Sequence, residues 1–72
     1  MAQISSEMIG QKLKNLRAQK GKTIAEVSCD TGIGVSTLGN YENGIRIPRD
    51  ETKIELARYY DTTVEDLFYS QA

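Results

Sequence analysis

Between Thr23 and Gly44 the chain is punctuated so closely that few folds can accommodate it. Thr23 stands three residues before Glu26, the Thr-x-x-Glu spacing in which each side chain satisfies the other residue's backbone N–H at a helix start. Ala25, Val27 and Ser28 keep that helix slim, and Ser28 is small enough to let a neighbouring helix come close. Asp30-Thr31-Gly32 then stops it, glycine accepting a backbone conformation that is costly once a Cβ is present. Ile33 follows as an apolar anchor in the turn. A second helix is predicted from Gly34 or Val35 to Glu42, with Leu38 and Tyr41 on its inner face and Asn43-Gly44 closing it. Val27, Ile33, Leu38 and Tyr41 set the angle between two helices of about eight residues joined by a turn of about four, the helix-turn-helix layout.

The flanking segments complete an all-α reading of five short helices, since apolar and polar residues nowhere alternate for long. The first helix begins after Ser5 or Ser6, carries Ile9, Leu13 and Leu16 as one inward stripe, and stops at Gly21. Pro48 biases Ile47 toward extended backbone, so Ile45 to Arg49 reads as a loop. Asp50 is expected to cap a fourth helix through Tyr60, burying Ile54, Leu56 or Ala57, and Tyr60. Thr63 opens a fifth as Thr-x-x-Asp, with Val64, Leu67 and Phe68 buried and a tail from Tyr69 that frays.

A chain of 72 residues is one domain, residues 1–72, and its ordered part is expected over about 5–69. Folding at this size buries only about 60% of the unfolded surface, so packed helices or a partner subunit must supply stability. Staples are lacking: Cys29 has no partner cysteine and there is no histidine, so neither metal nor cofactor is expected. Cys29 reads as buried filler in a reducing cytosol, with a redox sensor or nucleophile as the sharper alternative. No apolar run approaches the roughly 20 residues of a membrane span, and the first six residues lack the regions of a signal peptide. A soluble, cytoplasmic protein follows. The acid pairs Asp50-Glu51 and Glu65-Asp66 stand at helix starts, where they favour the dipole, and so small a domain rarely holds a pocket. Neither an enzyme nor a small-molecule substrate is expected.

Net charge is −1, which on its face argues against a polyanionic partner. The distribution differs from the mean: Lys12, Lys14, Arg17, Lys20 and Lys22 face only Glu7 in the first 22 residues, whereas Asp61, Glu65 and Asp66 have no cation beside them in residues 61–72. A ligand feels the local field, so the basic end can approach phosphates while also serving as a solvated helix surface. Tyr59, Tyr60, Phe68 and Tyr69 read as packing residues rather than as a stacking platform for single strands.

The run from Ile9 to Arg17, the helix-turn-helix, Tyr41-Glu-Asn-Gly44 and Pro48 together resemble the Cro/repressor (XRE-like) helix-turn-helix family of phage and bacterial regulators. The likeness reaches nearly the whole chain, and separated elements agree in spacing. It implies a lambda-repressor-like domain whose third helix enters the major groove of double-stranded DNA, as a homodimer on a palindromic operator. Val35, Ser36 and Asn40 are implied to face base edges, and Thr37 a base or a phosphate. Lys22, Thr23, Asn43, Arg46 and Arg49 are implied to lie near phosphates or the adjacent minor groove. Arg17 and Glu42 are implied to form a partly buried ion pair between the first helix and the end of the third. Val64, Leu67 and Phe68 are also a candidate dimer seam.

Three departures from the family pattern shape the expectation. Ile24 stands where a phosphate-binding Gln often opens the second helix, and Val35 offers only contact with a thymine methyl. Gly39 reads no base and weakens its helix by about 0.8–1.0 kcal/mol relative to Ala. Direct readout then rests on Asn40, Ser36 and Thr37. The expected function is a transcriptional regulator, more specifically a repressor. The alternative is a module of the same fold that binds a partner regulator or enzyme, favoured by acidic composition, Ile24 and Val35.

Overall fold

In a computed structural model that describes residues 3–70, the chain is built from five helices, with no strand among the described residues. α1 (Ser6–Lys20) opens where the Ser5 side chain accepts from the Met8 N–H, and ends where Gly21 turns left-handed at φ 72°. α2 (Ile24–Thr31) carries the complete Thr23–Glu26 capping box. α3 (Val35–Glu42) and α4 (Asp50–Tyr59) follow. α5 (Glu65–Tyr69) is a single π-helical turn, its start secured by the Thr63 hydroxyl, which accepts from the Asp66 N–H at 3.0 Å.

The core takes residues from every helix. Ile9 and Leu13 of α1, Val27 of α2, Leu38 and Tyr41 of α3, Leu56 and Ala57 of α4, and Leu67 and Phe68 of α5 are buried together. Burying side chains of this size stabilises by roughly 1.5–3 kcal/mol each, the main favourable contribution in so short a chain. The two ends of the molecule are joined: the Ile4 N–H donates to the Phe68 carbonyl at 3.0 Å. Lys12 donates to the carbonyls of Asp66 and Ser70, occupying acceptors left open at the end of α5.

The structure corrects several expectations. Leu67 and Phe68 are 1% and 0% exposed within the chain's own core, and Val64 packs partly buried beside them. α5 therefore has no apolar face to spare, and the candidate dimer seam Val64, Leu67 and Phe68 is withdrawn. Ile54, expected inside, is 51% exposed, and Lys53 is buried in its place. The Lys53 ammonium is 3.2 Å from the Tyr69 hydroxyl and lies over the Phe68 and Tyr69 rings, so the stem can be buried while the charge keeps partners. Tyr69 belongs to α5, and Ser70 N–H bonds Glu65 O, so the chain is ordered where fraying was expected; Gln71 and Ala72 lie outside the described residues. Asp50 is the first residue of α4 rather than its cap, because the Arg49 carbonyl takes the first helical bond, from Lys53 N–H at 2.8 Å. Cys29 is exposed, not core filler.

Candidate nucleic-acid interface

The turn between α2 and α3 is held by local chemistry. Gly32 adopts φ 79°, and its N–H donates to the Ser28 carbonyl at 2.8 Å. The Thr31 hydroxyl donates to Val27 O at 2.7 Å and accepts from Ile33 N–H at 3.2 Å, so one side chain joins the last turn of α2 to the start of the link. That role of Thr31 was not anticipated, although a threonine two residues before the N–H it binds is a recognised turn signal. Ile33 packs partly buried against the core and anchors the link from the other side.

α3 is positioned by direct backbone contact. A Cβ at Gly10 of α1 would collide with the Glu42 carbonyl and stand 2.8 Å from that of Tyr41. No side chain separates the two helices at this crossing. Beside it, Arg17 grips Glu42 through two bonds, Nε to Oε2 at 2.7 Å and Nη2 to Oε1 at 3.0 Å. The Glu42 side chain is 6% exposed and that of Arg17 21%. The carboxylate bond, ahead of every other influence, holds the guanidinium pKa above its ordinary range. Arg17 Nη1 also donates to the Lys22 carbonyl at 3.0 Å, so one guanidinium ties α1, the α1–α2 link and α3.

On this frame α3 turns Leu38 and Tyr41 inward. At roughly 100° per residue, Ser36, Asn40 and Asn43 fall on the opposite face, flanked by Val35 and Thr37. Val35 is 52% exposed; Ser36 and Asn43 are exposed, and Thr37 and Asn40 half-buried. The Asn40 amide makes no side-chain hydrogen bond among the described residues, while its backbone carbonyl accepts from Ile45 N–H at 2.9 Å and Arg46 N–H at 3.3 Å. Those two bonds fold the following loop back onto the end of α3. Arg46 and Arg49 are exposed there, with no carboxylate within 4.0 Å among the described residues. The helix starts at Gly34 without a side-chain cap, which leaves its first N–H groups unoccupied.

The opening of α2 is less free. Thr23 N–H is taken by Glu26 Oε1 at 2.9 Å and the Thr23 hydroxyl accepts from Glu26 N–H at 3.1 Å, leaving the N–H groups of Ile24 and Ala25. The Thr23 N–H bond, first among its causes, lowers the Glu26 pKa. Ile24 packs partly buried on the core, which accounts for an apolar residue where the family often has Gln. Lys22 stands 3.7 Å from Asp30, whose carboxylate also accepts the Tyr59 hydroxyl at 2.6 Å. An open groove of about 220 Å³ between α1 and α5 includes Lys12, Thr62 and Asp66 and lies away from α3. Among the described residues no acidic, Cys or His group could hold a metal ion, and no helix is long and apolar enough to cross a membrane.

Comparisons agree with this geometry. The chain is similar to the cryptic phage CTXphi transcriptional repressor RstR of Vibrio cholerae, 32% identical over 60 residues that make 83% of this chain and 54% of that protein. Its structure is similar to the restriction-modification controller protein C.AhdI from Aeromonas hydrophila, with a TM-score of 0.80 and 28% identity over 88% of this chain and 96% of that one. It is also similar to SinR, the master regulator for biofilm formation, in complex with DNA; there the TM-score is 0.77 and the identity 28%, over 83% of this chain and 97% of that one. The chain spans about half the length of the curated relatives it matches. The helix-turn-helix family model matches residues 13–67, taking in Arg17 and Glu42, the turn and the outward face of α3. The chain belongs to the helix-turn-helix family, in its Cro/repressor (XRE) branch.

Proposed function

We propose that this chain binds double-stranded DNA sequence-specifically as a transcriptional regulator, a cytoplasmic repressor acting as a homodimer on a palindromic operator. The observation that carries the reading is the outward face of α3, where Val35, Ser36 and Asn43 are exposed and the Asn40 amide is unclaimed. A repressor among the similar proteins and a similar regulator solved on DNA support it. In this reading Asn40 pairs with an adenine edge, Val35 meets a thymine methyl, and Ser36 and Thr37 complete the readout. Arg46 and Arg49 supply most of the phosphate charge, assisted by Asn43, by the N–H groups opening α2 and by the Thr23 hydroxyl proton. Lys22 adds to that charge, the ammonium of its half-exposed side chain shared between Asp30 and a phosphate.

Selection from a random duplex pool, followed by gel shifts at two salt concentrations, tests the proposal. Enrichment of a two-fold symmetric sequence is expected, with affinity falling as salt rises. Asn40→Ala should lose roughly 5- to 150-fold of the preference for adenine at one position per half-site, in line with a bidentate contact of about 1–3 kcal/mol. A uniform loss at every sequence would remove Asn40 from the readout.

The Glu26 carboxylate at the start of α2 and Asp30 beside Lys22 favour a second reading, in which the same face binds a partner protein. No enrichment of any duplex, together with salt-independent binding to a protein, would establish that reading instead.

A further inference from the structure

The chain has six glycines, and five have a reason within the protein. Gly21, Gly32 and Gly44 take positive φ, Gly10 permits the helix crossing, and Gly34 is the N-cap of α3, a position that favours glycine over alanine. Gly39 has none. It sits in the interior of α3 without a positive φ, and a Cβ built on it meets nothing within 4 Å. Alanine would fit there, and a helix-interior glycine weakens α3 for no structural return. At roughly 100° per residue Gly39 falls between Val35 and Asn43, on the face that carries Ser36 and Asn40.

We infer that Gly39 is a ligand-contact residue: its missing side chain is the gap through which the backbone of α3 is brought against the floor or wall of the DNA groove. The inference rests on the DNA reading above and deepens it. Val35, Ser36 and Asn40 are short side chains, which reach base edges only if the helix axis lies close to them. A methyl group at position 39, between Val35 and Asn43 on one side of that face, would hold that side of the helix away. Gly39 therefore sets the reach of its neighbours, though it reads no base itself.

The test exploits opposite signs. Gly39→Ala should lower the unfolding equilibrium constant about fivefold, the helix-propensity gain of alanine over glycine, seen as a higher denaturation midpoint. The same variant should bind the selected duplex roughly 10-fold more weakly, and Gly39→Leu more weakly still, because the obstruction grows with side-chain size. Circular dichroism and gel shifts on the same preparations give both readings. A stabilised Gly39→Ala protein with unchanged or tighter DNA binding overturns the inference while leaving the DNA reading intact. Lower stability in Gly39→Ala also overturns it, since glycine would then be required by the fold. Failure of the wild-type chain to enrich any duplex sinks the DNA reading itself, and this inference with it.

Discussion

Arg17 and Glu42 show how one residue pair can have an outsized effect on the site. Glu42 is nearly enclosed, and its charge is tolerable because the guanidinium meets it with two bonds. Removing the cation alone leaves a buried carboxylate unpaired. Arg17→Met should therefore destabilise by about 2–3 kcal/mol, below the range for a fully buried pair because the guanidinium is a fifth exposed. Arg17→Met combined with Glu42→Leu should recover much of that loss, since no charge then remains to desolvate. Urea unfolding of the four proteins measures the coupling, and strictly additive free energies would deny it. The family resemblance led to this pair from the sequence. Nothing local led to Lys53, whose partners Phe68 and Tyr69 are supplied by a helix that arrives later in the chain.

Helix starts and stops were legible where their chemistry is local, the start of α4 excepted, where Arg49 and not Asp50 stands at the cap. Ser5, Thr23 and Thr63 cap as their spacing predicts, and Gly21 and Gly32 end helices in the left-handed region. The inner face of α4 was not legible. An apolar residue beside a lysine reads as the buried one, yet Ile54 is outside and Lys53 inside because ring faces from α5 receive the ammonium. For α3, sequence placed the inward residues correctly, whereas the contact that seats it, backbone against Gly10, leaves no periodic trace. Thr23→Ala should cost about 1 kcal/mol of stability. Glu26 titrates below its ordinary carboxylate range when folded, so its contribution is complete above that range and disappears as pH falls through the lowered value. Thermal melts between about pH 5 and 3 should show a shallower acid loss in Glu26→Gln than in wild type; parallel curves would remove Glu26 from the acid response.

Across the whole molecule, Tyr59 gathers three helices: its hydroxyl reaches Asp30 on α2, and Lys20 of α1 lies over its ring at 4.9 Å. The bond to Asp30 is the first cause that pushes its phenol up to about 12, and burial does the same to Tyr60. An unfolded tyrosine ionises near 10, so between about pH 10 and 12 the unfolded chain sheds protons that the folded one keeps. Stability from both residues is intact below that window and drains away as pH rises through it. Chemical denaturation at about pH 9 and 11 should show this fall, reduced in Tyr59→Phe; an equal fall in both proteins would leave Tyr59 out of it. The crossing at Gly10 has a consequence of another kind. At that crossing main chain rests on main chain, so no side-chain layer lies there for a changed core residue to squeeze or slacken, although Leu38 and Tyr41 still seat α3 through side-chain packing. On the DNA reading proposed above, positions 35, 36, 37 and 40 could then be rewritten while that crossing keeps its spacing, and a lineage of such proteins could acquire new operators with little change to its interior.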